Sequence, residues 1–378
     1  MKAKHILLAF DSFKGSLSSA DVAECVEETI MGLDPMIDVD RCLMSDGGEG
    51  LLETMKAILP LILVPHTVMN PLGERHEARF GWDHTQRLAV IESAQANGLP
   101  LVASKNRNPL KTTAYGVGEL IRAALDLDAK TIVVGLGGSA TNEAGLSILQ
   151  ALGAKFFDDG NRDIGLITGE SLGLIKRIDL NGLDERLEHT KIIAACDVNN
   201  PLTGPNGATY VYGPQKGATD KRLPILEGGM ENIRSIIRKM TEIDLNEVPG
   251  SGAAGGIAGG LHALLGVELK PGIDVILQAL GFEESVKKAH LVITGEGKSD
   301  QQTLMGKVPM GVLKAAQKYD VPVVLMSGIV EEKGAMLKAG FREAIGIKPE
   351  KQSVEDAMKP GFAKHNLRNA VKILFEQS

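Results

Sequence analysis

Lysines, carboxylates and hydroxyls in this 378-residue chain gather in glycine-rich loops that follow short apolar runs. Ile6 to Phe10 lead into DSFKGSLS, which sets Asp11 and Ser12 at an expected strand tip and offers Lys14 to a phosphate as a compact point charge. Ser16 and Ser18 add hydroxyl donors there, unless they only cap the helix that follows. SDGGEG, Ser45 to Gly50, joins Asp46 and Glu49 to Gly47, Gly48 and Gly50. A carboxylate held this way can take a proton from an alcohol or help hold a hydrated Mg²⁺. GLGGSATNEAG, Gly135 to Gly145, is expected to open a helix and cradle an anion with Ser139, Thr141, Asn142 and the backbone N–H groups around Gly137 and Gly138. The same stretch contains G-x-G-x-x-A with Asp158 about 20 residues on, so a dinucleotide site is its rival. Asn142 and Glu143, expected at the mouth of the loop, speak against that rival.

Three further loops carry chemistry. Cys196 to Ala218 leaves the run KIIAA with Asp197 at its tip, a candidate base or metal ligand, and sets Gln215 and Lys216 between Gly213 and Gly217, where they could contact phosphate. Pro249 to Gly260 includes Gly252 and Gly255, positions that let backbone approach a nucleotide or a neighbouring helix. Thr294 to Pro309, TGEGKSDQQTLMGKVP, concentrates Glu296, Lys298, Asp300 and Lys307, a density that suits an anionic or metal-bound ligand. Gly297-Lys298-Ser299 ends like a P-loop, but Val292 stands where its leading glycine belongs. The eight histidines show no zinc spacing, and no Gly-x-Ser-x-Gly elbow occurs. What remains suits phosphoryl transfer by positioning, Mg²⁺ and charge neutralisation.

These loops need a scaffold, and the apolar runs supply it. HILLAF, TIVVGL, KIIAAC, LVITGE and VPVVLM each precede a polar turn and a segment of helical period, which is the mark of a parallel α/β fold. The length suits about two domains. Pro71 onward alternates apolar and polar residues and holds the single Trp, Trp82, so a new region is expected there. The economical arrangement is a Rossmann-like parallel-sheet domain from 1–70 and 288–378, with a second α/β domain, 71–287, inserted in it. Two sequential domains split near residue 190 are the alternative.

Composition narrows the partners. Lys and Arg number 41 against 48 Asp and Glu, a net charge of −7 without a basic face or tail, which argues against nucleic acid. Cys25, Cys42 and Cys196 form no CxxC pair, and the apolar runs are too short for a membrane span or a signal peptide, so a cytoplasmic protein is expected. Twenty of the 44 glycines fall in the five stretches 46–50, 135–145, 204–217, 250–260 and 295–306.

Taken together, DSFKGSLS, SDGGEG, PLG at Pro71 to Gly73, GLGGSATN, CDVNNPL, GPNGA, GPQKGA, SGAAGG and TGEGKSDQQT with LMGKVP resemble the type-1 glycerate kinases across nearly the whole chain. The resemblance implies two α/β domains, ATP and Mg²⁺ as cofactors, and transfer of the γ-phosphoryl group to D-glycerate, with 2-phosphoglycerate as the expected product. For such a reaction we expect glycerate in an interdomain cleft, Asp46 or Asp197 accepting the hydroxyl proton, Lys14 and Lys307 neutralising the transferred group, and Glu296 with Asp300 orienting Mg²⁺ through water. The resemblance leaves room for a homo-oligomer. The chain departs from the family pattern at Phe10, usually Pro, at Leu51, commonly Thr, and at Glu143-Ala144, usually Asp-Gly. The competing functions are a nicotinamide dehydrogenase and a non-catalytic sensor of a sugar acid or nucleotide.

Overall fold

The computed structural model describes residues 5–13, 15–44, 51–304 and 306–376. The chain divides into two compact units, Met1–Gly47 with Pro271–Ser378, and Gly48–Lys270.

In the terminal unit five strands form an all-parallel sheet in the spatial order Glu343–Gly346, Val323–Ser327, Leu291–Gly295, His5–Phe10, Asp38–Arg41. Numbered along the chain this order is 2-1-3-4-5. The direction of winding therefore reverses between His5–Phe10 and Leu291–Gly295, and the crevice beyond their carboxyl ends is where such sheets bind ligands. The run HILLAF is buried almost throughout because a parallel strand is covered on both faces. After it, the helix Ser19–Leu33 starts on a capping box: Asp21 N–H donates to Ser18 Oγ at 3.1 Å while the Asp21 carboxylate reaches back to the Ser18 backbone. Its stripe of Val22, Val26 and Ile30 meets Leu367 and Val371 of the closing helix Pro360–Glu376 in one core.

In the middle unit six strands run in the order Glu268–Lys270, Lys191–Ala195, Thr131–Gly135, Leu88–Glu92, Arg75–Asp83, Ile62–Met69. The first four are parallel, and the last two add an antiparallel edge. The loops after Thr131–Gly135 and Lys191–Ala195 leave the same edge of this sheet, as parallel pairing requires. Their core gathers Phe80, Leu120, Phe156 and Ile257.

Both expected boundaries shift. Pro71 is not a linker but part of the turn of the hairpin Ile62–Met69 with Arg75–Asp83, where Asn70 Oδ1 accepts the N–H groups of Leu72 and Glu74 at 2.9 and 3.0 Å. A cut there would split eight paired residues, so the middle unit begins at Gly48. At the other end the helices Gly272–Ala279 and Phe282–Lys288 pack on Val308–Gln317, with Ile273 filling the space over Gly311, and so belong to the terminal unit from Pro271 onward.

Phe10, where the resemblance expects proline, is fully buried and stands edge-on to Phe13, with ring centroids 6.5 Å apart. Phe10→Ala is expected to lower the unfolding free energy by about 3–5 kcal/mol, read from the urea midpoint. A loss below about 1 kcal/mol would show that this strand end is not packed as core.

Candidate active site

The terminal unit opens a cavity of about 330 Å³ at its switch point. The ends of His5–Phe10 and Leu291–Gly295 bring Asp11, Ser12, Glu296 and Lys298 to its lining, and Lys307 joins them from the start of the helix Val308–Gln317. Ser16 lines it too, its buried Oγ without a hydrogen-bond partner among the described residues. Ser12 N–H donates to Asp11 Oδ1 at 2.7 Å. Glu296 is nearly fully buried: its Oε1 accepts the hydroxyls of Thr303 at 2.5 Å and Ser299 at 3.2 Å, and its Oε2 lies 3.6 Å from Lys307 Nζ. Burial pushes this carboxyl above the ordinary range, against the pull of Thr303 and Lys307. Asp300 goes the other way, held low first by the Gln302 N–H at 2.9 Å and then by its lysine neighbours.

Glu296 and Asp300 thus each face a lysine of their own, Lys307 at 3.6 Å and Lys298 at 3.5 Å. Among the described residues no group of three His, Cys, Asp or Glu side chains could hold a cation. That donor set suits a Mg²⁺ carried in on phosphate oxygens, which needs only one or two protein carboxylates and keeps several waters.

A second cavity, about 430 Å³, belongs to the middle unit. Gly137, Gly138 and Ser139 line it from one strand end, Asp197 from the next, and Gln215 and Lys216 from the turn before Gly217. Lys216 is almost entirely buried, and its Nζ donates to Ser139 Oγ at 2.8 Å and to the Thr141 carbonyl at 2.6 Å. Loss of water pushes the ammonium down to about 7, against the attraction of Glu143. Glu143 is fully buried, so its carboxyl is pushed up to about 8 despite the Ser147 N–H that it accepts at 2.8 Å.

Several expectations change. The segment after Ser139 does not open a helix; the next one, Leu146–Ala151, begins only after Gly145. Thr141, Asn142 and Glu143 are buried rather than at a mouth: Asn97 Nδ2 donates to Thr141 Oγ1 at 3.0 Å, and Asn142 Nδ2 to Thr209 Oγ1 at 3.2 Å. Their polar atoms hold the loop, whereas Gly137, Gly138 and Ser139 face the cavity. Gly252 and Gly255 answer to backbone packing, since a Cβ would fall 2.2 Å from the Pro201 carbonyl oxygen at the first and 2.0 Å from that of Thr141 at the second. Ala253 and Ala254 line the cavity in their place. Ala144, where the resemblance expects glycine, has φ of 56°, the left-handed region that glycine occupies without strain. Lys14, Asp46, Gly47 and Gly48 lie outside the described residues.

The dinucleotide reading loses its geometry as well. Its fingerprint needs a helix opening at the third small residue, and here Ala140 sits in an irregular buried loop. Asp158 accepts from Arg162 Nε at 2.9 Å in the turn after a short strand of a separate two-stranded sheet.

One unit carries a cationic, glycine-lined cavity at the ends of a parallel sheet, and the other has 2-1-3-4-5 strand order with a cavity at its switch point, arrangements suited to binding an anionic ligand. The model of the glycerate kinase family matches residues 6–377. Glycerate kinase of Bacillus subtilis (strain 168) is 43% identical over 355 residues, 94% of this chain and 93% of that protein. Glycerate 2-kinase of Escherichia coli (strain K12) is 40% identical over 358 residues, 94% of each chain. A solved Salmonella typhimurium LT2 chain described as a glycerate kinase 2 superposes with a TM-score of 0.84 at 38% identity, covering 100% of this chain and 99% of that one. The chain belongs to the glycerate kinase family and is a phosphotransferase.

Residues that sequence reasoning missed complete both cavities. Arg107 and Tyr212 line the middle one, and Lys348, Met358 and Asn366 the terminal one. Except for Tyr212, none sits in one of the loops singled out from the sequence, and Tyr212 carries no charge to draw notice there.

The two buried groups set a pH dependence. The folded chain keeps the Glu143 proton up to about 8, while the unfolded chain releases it near the ordinary glutamate value, so stability falls as pH rises through that window. Lys216 acts in the opposite sense only above about 7, where the unfolded chain retains a proton that the folded chain has lost. Between about pH 5 and about pH 7 Glu143 acts without opposition from Lys216, and Glu143→Gln is expected to make the urea-unfolding free energy fall less over that interval than in wild type. Equal falls would show that Glu143 titrates in its ordinary range.

Proposed function

We propose that the chain transfers the γ-phosphoryl group of MgATP to D-glycerate and forms 2-phospho-D-glycerate. The observation that carries this reading is the buried Lys216, held by Ser139 and Thr141 at a cavity that also presents Asp197 and Arg107. A small hydroxy acid has one carboxylate for a cation and hydroxyls for a neighbouring base. The resemblance to glycerate 2-kinase of E. coli supports the choice of carbon.

In this mechanism Lys216, with Arg107, Gln215 and the N–H groups around Gly137 and Gly138, orients the glycerate carboxylate. Asp197 takes the proton of the attacking hydroxyl, or Asp46 does. The hydroxyl oxygen then bonds to the γ-phosphorus as the bond to the β-γ bridging oxygen breaks, and ADP leaves. Lys307 and Lys14 neutralise charge on the transferred group, Asp11, Ser12 and Ser16 supply further hydrogen bonds, and Glu296 with Asp300 would hold the Mg²⁺. Mg²⁺ draws electron density from the phosphate oxygens. No helix among the described residues is long and apolar enough to cross a membrane, and the three cysteines are free thiols, which supports a cytoplasmic setting.

Incubation of the chain with MgATP and D-glycerate, followed by ³¹P and ¹³C NMR of the product, is expected to give ADP and 2-phosphoglycerate. Phosphate on carbon 3, or no glycerate-dependent ADP, would overturn the reading. Asp197→Asn, at an exposed position, is expected to fold and to lose about 10²-fold or more in kcat; turnover near wild type would remove Asp197 as the base.

A further inference from the structure

The two cavities differ in chemistry in a way that separates the two substrates. Asp11, Glu296, Lys298 and Lys307 bring charge to the terminal cavity from strand and helix ends, and Lys348 joins them. An apolar stretch of its wall is formed by Phe13, Ile329, Ile347, Val354 and Met358, most of them from the segment 347–358 or the short strand before it. Glycerate, with three carbons each bearing oxygen, gains nothing from such a wall. A purine does, because its two faces seek apolar or sulfur contact while its edge seeks hydrogen bonds. Asn366, nearly buried in the same cavity, offers an amide for that edge, and its Nδ2 is fixed by Gln352 Oε1 at 2.7 Å.

The wall is held in place without a ligand. Ile347 N–H donates to the Ser327 carbonyl at 2.9 Å, Lys348 N–H to that of Gly328 at 3.1 Å, and Lys348 Nζ to the Gln352 carbonyl at 2.9 Å. Ser353 Oγ then caps the helix Val354–Met358 by accepting the Asp356 N–H at 3.1 Å. A fixed apolar wall beside lysines lowers the ordering cost of a ligand with a flat apolar part and an anionic part.

We infer that the terminal-unit cavity is the purine nucleotide subsite, with the base against Ile347, Val354 and Met358 and the phosphates toward Lys307. This rests on the kinase reading above and assigns one of its substrates to one unit. The middle-unit cavity, which Arg107 and Lys216 both line, then takes the hydroxy acid.

The full chain irradiated with 2-azido-ATP and Mg²⁺, digested and mapped by mass spectrometry, tests the assignment, with glycerate-dependent ADP release followed in parallel. Labelling within 347–366 is expected. Met358→Glu, at an exposed position, and Ala357→Trp are expected to raise KM for ATP about tenfold while leaving KM for glycerate within about twofold. Label within 99–107 or 196–216, or an unchanged KM for ATP in both variants, overturns the subsite. If ADP release persists with the label there, the subsite alone falls; if neither label nor ADP release is found, the kinase reading falls with it.

Discussion

A lysine without water must find acceptors in the protein or give up its proton, and Lys216 does part of both. Its two close acceptors, Ser139 Oγ and the Thr141 carbonyl, lie more than seventy residues earlier in the chain. That pair of bonds ties the turn before Gly217 to the loop after Thr131–Gly135. Gly255 closes on the Thr141 carbonyl from another side, so three segments converge where only small residues and one cation fit. The result is a positive centre at the end of a parallel sheet, poised by burial near the pH at which it gains or loses its charge. A bound anion favours the ammonium form, which couples binding to protonation.

The terminal unit meets the same demand for charge control differently. Glu296 is buried among hydroxyls with Lys307 at its second oxygen, while Lys298 lies between Asp300 and Glu331 near the surface. Lys298 and Lys307 are therefore already compensated by carboxylates. A phosphate chain entering with Mg²⁺ would bring cations as well as anions, and a site with mixed charge accommodates that better than a purely cationic one. The middle cavity, with Arg107 and Lys216 and, among the described residues, the one carboxylate Asp197, suits an acid that arrives alone.

Much of this was legible in the sequence, for physical reasons. Strands covered on both faces read as unbroken apolar runs, so HILLAF, TIVVG, KIIAA, LVITG and VVLMS lie in strands of the two sheets. Loops at their carboxyl ends then placed Asp11, Asp197, Glu296, Lys216 and Lys307 at cavities. What stayed hidden depends on partners far along the chain. Asn142 and Glu143 look exposed in a glycine-rich loop, yet Thr209 and the buried Lys216 turn them inward. Pro71 to Gly73 looks like a domain junction because turns and linkers share residue types, and only pairing across the hairpin distinguishes them. Arg107, Met358 and Asn366 carried no local sign, being functional only where distant segments meet.

The central claim is that Lys216 supplies the buried charge that receives the acceptor acid. Initial rates of D-glycerate-dependent ADP release at saturating MgATP, in wild type and in a Lys216→Met variant that unfolds at the same urea midpoint, address it directly. The account predicts a loss of about 10²-fold or more in kcat/KM for glycerate with KM for ATP retained. Equal kcat/KM values in the two proteins would contradict it.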